Sequence, residues 1–96
     1  MNKQEILEQL RKFKEDNYLK YEITAFGIFG SVARGQDNPK SDLDIFIKIQ
    51  TPNPFILVHI KEELEKLFNT HVDIVRLREN MNSFLKNRID KEGINV

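Results

Sequence analysis

Between Asp42 and Ile49 every second residue is aliphatic: Leu43, Ile45, Ile47 and Ile49 lie on one side of an extended chain. The other side carries Asp42, Asp44, Phe46 and Lys48. Such a segment must bury its aliphatic side, so it predicts a β-strand with a core layer on one face. The opposite face poses a chemical question, because Asp is disfavoured in strands and two of them here share one side. Carboxylates two residues apart on a strand repel unless a cation lies between them. Mg²⁺ suits such a pair, since it takes carboxylate oxygens and keeps positions open for water and phosphate. The structural alternative is a turn that feeds an exposed strand edge.

A second strand is predicted immediately upstream. Ile23-Thr24-Ala25-Phe26-Gly27-Ile28-Phe29 is rich in β-branched and aromatic residues and too short for a typical helix. Gly27 within it implies a bulge or the close approach of another backbone. The segment runs into Gly30-Ser31, and a short helical turn is predicted over Ser31–Arg34, closed by Gly35. A glycine at a strand-to-helix turn lets a ligand approach the backbone, and the following amides can bind phosphate oxygens. Gly-Ser taken alone is equally a plain turn. Arg34, three residues after Ser31, is placed either to contact phosphate or to pair with an aspartate. Gln36-Asp37-Asn38-Pro39-Lys40 reads as a loop.

The flanking segments read as helices and one further strand. Ile6, Leu7, Leu10 and Phe13 have helical spacing from Asn2 to about Tyr18, with Asn2 as N-cap and Glu5 three residues on, as in a capping box. Asn53 and Pro54 open a helix to about Asn69 whose apolar side is Leu57, Ile60, Leu64, Leu67 and Phe68. Val72-Asp73-Ile74-Val75 is a third short strand, with Asp73 opposite in direction to Val72 and Ile74. If it lies beside the Asp42–Asp44 strand, Asp73 joins the same cleft; otherwise it is a structural strand-end residue. A last helix, from about Asn80 to Lys91, carries Phe84, Leu85 and Ile89 and leads into a polar tail. His59 and His71 lack metal-ligand spacing. His59 is read as packed or solvated, and His71 as bordering the cleft without a catalytic role. The expected fold is α/β (α+β): a small mixed sheet of about three strands flanked by helices.

Ninety-six residues predict one domain, 1–96, with a single core. Fifteen Lys plus Arg balance fifteen Asp plus Glu, which removes any general attraction to nucleic acid or acidic membrane. The absence of cysteine excludes disulfides and thiolate metal sites. No apolar run approaches membrane-spanning length and Met1–Glu5 has no apolar signal region, so a cytoplasmic location is expected.

Gly30-Ser31-Val32-Ala33-Arg34-Gly35, then Ser41-Asp42-Leu43-Asp44, then Val72-Asp73-Ile74-Val75 resembles the minimal nucleotidyltransferases of the DNA polymerase β superfamily. The signature of that family is Gly-Ser-x-Ala-Arg-Gly, a loop, Ser-Asp-x-Asp on a strand and a third Asp on a later strand. Every part is present, in order. The resemblance implies the polymerase β-like fold and a nucleotide held by Gly30 and Ser31, with Arg34 and Ser41 in the nucleotide-binding set. It implies two Mg²⁺ ions on Asp42, Asp44 and Asp73, with Asp73 also helping to activate the incoming hydroxyl. The implied chemistry is AMP transfer from ATP to a hydroxyl, releasing pyrophosphate.

Chains this short are similar to the antitoxin halves of MNT–HEPN pairs, in which the antitoxin adenylylates a tyrosine of its HEPN ribonuclease toxin. The length suggests that the acceptor is held by another molecule. Two other functions compete with this one. A binding antitoxin would neutralise its partner by occlusion alone, and a transferase for a small molecule or RNA end would use a different acceptor. Zero net charge weighs against the last, and no stable nucleic-acid binding is expected.

Overall fold

The computed structural model describes residues 2–36 and 42–96. The loop expected over 37–40, and Ser41, lie outside them. In order, the elements are α1 (Lys3–Tyr21), β1 (Ile23–Phe29), α2 (Gly30–Ala33), β2 (Leu43–Ile49), α3 (Pro54–Phe68), β3 (Val72–Arg76), α4 (Ser83–Glu92) and β4 (Ile94–Asn95).

The sheet has four strands in the order β3-β2-β1-β4. β1 runs antiparallel to both β2 and β4, while β2 and β3 are parallel and joined by the α3 crossover. The sequence predicts about three strands and a polar C-terminal tail. Instead Ile94 and Asn95 pair with Ile28 and Gly27. Gly27 makes this possible: a Cβ there would lie 2.1 Å from the Ile94 carbonyl oxygen and 2.5 Å from Phe46 Cζ. The expected approach of another backbone is therefore β4 itself.

Alternation along β2 divides the core as its pattern predicts. Leu43, Ile45, Ile47 and Ile49 join Phe26 and Ile28 of β1 and Val72 of β3 in the main cluster, covered by Ile6, Leu10 and Phe13 of α1 and Ile60 and Leu64 of α3. Phe46, on the other face, packs with Phe29 and Ile89 of α4 in a smaller cluster. The first helix starts as expected, with Asn2 Oδ1 accepting from the Glu5 amide at 2.9 Å and Asn2 Nδ2 donating to Glu5 Oε1 at 3.1 Å. It extends to the buried Tyr21, whose partly buried hydroxyl donates to Glu63 of α3 at 2.7 Å. Burial, then Glu63, pushes that hydroxyl up to about 12, so it remains a donor throughout the physiological range.

Asn53 caps α3, accepting from the Phe55 amide at 2.9 Å, and Asn69 ends it in the left-handed region at φ 51°, which Asn tolerates better than most residues. Two apolar positions depart from expectation. Phe84 is 74% exposed because the buried stripe of α4 is set by Leu85 and Ile89, a turn apart, and Phe84 lies a hundred degrees off it. Leu67 is 40% exposed at the periphery of the main core, beside Phe13 of α1. The last helix starts at Ser83, with Asn82 accepting from the Leu85 amide, rather than near Asn80.

Candidate active site

The site lies where the chain leaves β1 and re-enters at β2. Phe29 is paired with Asp44 across the two strands, and Gly30 follows it at φ +75°. Backbone bonds from Arg34 N to Gly30 O (3.1 Å) and from Gln36 N to Ser31 O (2.9 Å) close the turn of α2. Gly35, at φ +71°, ends it as expected. Gly30 does more than admit a ligand. A Cβ on it would fall 2.2 Å from Asp44 Oδ2, so the Asp44 carboxylate is seated directly against the glycine.

Parallel pairing then supplies the third carboxylate. Asp44 is in register with Asp73, and the Leu43 amide donates to the His71 carbonyl at 2.9 Å. Residues in register on neighbouring strands point to the same face, as do residues two apart on one strand. Asp42, Asp44, His71 and Asp73 are thus brought to one face of the sheet. Ligand atoms of Asp42, His71 and Asp73 lie within 4.8 Å of one another. His71 Nδ1 stands 3.7 Å from Asp42 Oδ2 and 3.8 Å from Asp73 Oδ1. Asp42, His71 and Asp73 are exposed, whereas Asp44 is half-buried.

The electrostatics follow from that arrangement. Burial, then the neighbouring charge of Asp73, with a smaller contribution from Asp42, pushes the Asp44 carboxyl above its ordinary 3.8. Arg88 and Arg34 oppose the shift without cancelling it. A cluster of carboxylates that raises the pKa of its own member carries uncompensated negative charge, and its carboxylate oxygens, with the His71 imidazole among them, suit a hard divalent cation. The donor chemistry therefore fits Mg²⁺.

Two residues sit differently from the sequence reading. Arg34 pairs with a carboxylate outside the cluster: Nη1 donates to Glu92 Oε2 of α4 at 2.9 Å, and Nε donates to Gln36 Oε1 at 3.0 Å. His71, expected only to border the cleft, has its imidazole between Asp42 and Asp73. A residue two before an aspartate on a strand shares its face, and that spacing was the available signal for it.

Arg88 and Glu92 were missed. Arg88 Nη2 lies 3.8 Å from Glu92 Oε2, and its guanidinium carbon lies 5.9 Å from the centroid of the Phe29 ring. Since Phe29 is the register partner of Asp44 and directly precedes Gly30, this cation stands at the glycine turn. Glu92 thus gathers Arg34 and Arg88 on the β1 side of the carboxylates. On sequence alone, Arg88 and Glu92 are an ordinary i,i+4 pair on a solvated helix face.

Residues 8–96 match the family model for polymerase β nucleotidyltransferases. A Methanocaldococcus jannaschii protein provisionally named a protein adenylyltransferase is 34% identical over 96% of this chain and 95% of its own length. The protein adenylyltransferase MntA of Thermococcus cleftensis is 32% identical over 92% of this chain and 85% of its own. The fold also superimposes on a toxin–antitoxin crystal structure with AMP-PNP, with a TM-score of 0.76 and 23% identity over 99% of this chain and 72% of that one. Among the described residues no helix is long and apolar enough to cross a membrane. With a family model spanning nearly the whole chain, and relatives of similar length at about a third identity, the chain belongs to the polymerase β nucleotidyltransferase family.

Proposed function

We propose that this protein transfers AMP from ATP to a tyrosine hydroxyl of a HEPN-type toxin and thereby acts as its antitoxin. The observation that carries this reading is the register of Asp44 with Asp73 beside the Gly30 turn, which sets carboxylates and a phosphate-approachable backbone side by side. Relatives named protein adenylyltransferases support the choice of reaction.

In the transfer, the acceptor oxygen attacks the α-phosphorus and forms the new P–O bond. The bond from that phosphorus to the bridging oxygen of the β-phosphate breaks, and pyrophosphate leaves. Asp42, Asp44 and Asp73 would hold Mg²⁺, which supplies charge neutralisation at the phosphoryl oxygens. Gly30 and Ser31 take the phosphates against the backbone, and Ser41 belongs to the same nucleotide-binding set. Arg34 and Arg88 face the negative charge of the leaving group, with Glu92 keeping the two guanidinium groups together until the triphosphate arrives. Asp73, exposed at the strand end, is the carboxylate nearest an incoming hydroxyl and takes its proton.

The direct test is to incubate the protein with ATP, Mg²⁺ and the toxin and to weigh the toxin. An AMP-sized increment on a tyrosine peptide supports the reading, and no increment removes it. The role of Arg88 is tested separately. Arg88→Ala is expected to weaken binding of the ATP analogue AMP-PNP about tenfold, roughly the worth of one partly solvated charge-assisted contact, while leaving AMP binding unchanged. Equal losses for both nucleotides would show a merely structural residue.

A further inference from the structure

The transfer chemistry gives His71 no part, yet strand register sets its imidazole among the carboxylates. Pairing of Leu43 with Val72 and of Asp44 with Asp73 leaves Asp42 opposite His71 on the neighbouring parallel strand. Leu43 and Val72 belong to the main core, so alternation turns Asp42, Asp44, His71 and Asp73 to the other face. The four form a two-by-two array, two from each strand, and they are not equivalent. Asp44 is half-buried and seated against Gly30. Asp42, His71 and Asp73 are exposed and bring one ligand atom each within 4.8 Å of the others.

The distances show what His71 does and does not do there. Its Nδ1 stands 3.7 Å from Asp42 Oδ2 and 3.8 Å from Asp73 Oδ1, almost equidistant. A charge-assisted hydrogen bond would draw one of these pairs to about 2.7–2.9 Å, and neither is that close. The separations match atoms arranged round a common point instead. Ligand atoms held about 2.1 Å from one ion stand about 3.0 Å apart at right angles and about 4.2 Å apart when opposite. Rotation of an exposed carboxylate closes what remains.

We propose that His71 Nδ1 is a direct ligand, with Asp42 and Asp73, at one divalent-cation position of the site, and that this position prefers Mn²⁺ to Mg²⁺. The proposal concerns the metal of the transfer reading above and names a ligand and a selectivity for it. The chemistry follows from the donor set. Mg²⁺ takes oxygen ligands and gains little from an imidazole nitrogen, which first-row transition ions accept readily. Mn²⁺ shares the taste of Mg²⁺ for carboxylate oxygen and therefore gains from both kinds of donor.

The test is metal binding by the whole chain, without ATP or toxin, for wild type, His71→Ala and His59→Ala. The His71 side chain is exposed, so its truncation should leave the metal-free melting temperature unchanged. Loss of a hydrogen-bond partner behind a metal ligand already costs about 10–100-fold in affinity, so loss of the ligand should cost at least about tenfold. Titration is expected to show that fall for Mn²⁺ in His71→Ala, with Mg²⁺ affinity changed less than about twofold. Pulsed electron paramagnetic resonance of bound Mn²⁺ is expected to show coupling to an imidazole nitrogen in wild type and in His59→Ala, and none in His71→Ala. Wild type without Mn²⁺ binding or without nitrogen coupling, coupling lost in His59→Ala instead, or equal losses of the two metals in His71→Ala would overturn the proposal. Failure of the reaction is read separately, from the mass of the toxin. Wild type with nitrogen-coupled Mn²⁺ that leaves the toxin unmodified removes the reaction and keeps the ligand. Modified toxin with no nitrogen coupling removes the ligand and keeps the reaction.

Discussion

The variant carrying Asp42→Asn and Asp44→Asn is expected to fold normally and to transfer no measurable AMP to the toxin. Loss of a single preorganised charge-stabilising group already costs on the order of 10²–10³ in rate, so removing two carboxylates should cost at least about 10³-fold. The prediction has a second half that a structural role for these residues would reverse. Asp44 titrates above its ordinary 3.8 in the folded chain because burial and the charges of Asp73 and Asp42 disfavour its ionised form. The folded state therefore binds that proton more tightly than the unfolded one. Its contribution to stability falls as pH rises from the unfolded value through the folded one, and stays lower at neutral pH. Asparagine removes the effect. At pH 7 without metal, Asp44→Asn should melt no lower than wild type and possess a flatter dependence of stability on pH across the acidic range. A large drop in melting temperature would assign Asp44 to the scaffold. If the double variant binds the toxin, transfers nothing and yet still protects cells, occlusion alone accounts for neutralisation.

Gly30→Ala is expected to damage both stability and transfer, and more severely than Gly35→Ala. Both glycines have positive φ, +75° and +71°, so each alanine suffers the backbone cost, about 1–3 kcal/mol for a strained conformation. They differ in what the new methyl group meets. At Gly35 nothing among the described residues lies within 4 Å, whereas at Gly30 the Cβ would stand 2.2 Å from Asp44 Oδ2. The carboxylate must swing away or the turn must open, and either change displaces Asp44 from the face it shares with Asp42 and Asp73. Denaturant melts and transfer rates of the two variants, measured together, isolate the contact. Equal losses in both would mean that the Gly30–Asp44 seating has no consequence for catalysis.

These two expectations differ in how far they could be read without a structure. The pairing of Asp42 with Asp44 on one face needs only strand alternation, and the turn at Gly30 needs only residue types. Helix starts were legible for the same reason: Asn2 with Glu5 and Asn53 with Pro54 act over a few neighbouring residues. Strand β4 was not legible, since two residues carry too little pattern to announce a strand, although Gly27 marked the place where its backbone would pass. Phe84 was misjudged because a three-residue apolar set on a short helix leaves its buried stripe ambiguous by one position, and contact with Phe46 and Phe29 decided it.

What the sequence determined by itself was local chemistry: a glycine turn able to admit phosphate, two carboxylates on one side of a strand, and amphipathic helices with defined starts. What only the tertiary structure decided was which distant groups meet them. Asp73 and His71 reach Asp42 and Asp44 because α3 returns β3 parallel to β2 in one particular register. Arg88 reaches the glycine turn because α4 packs on Phe46 and Phe29, and Glu92 joins it there to Arg34. Register and packing are set by the fit of the whole core, summed over many residues far apart in the chain, and no short stretch of sequence contains that sum.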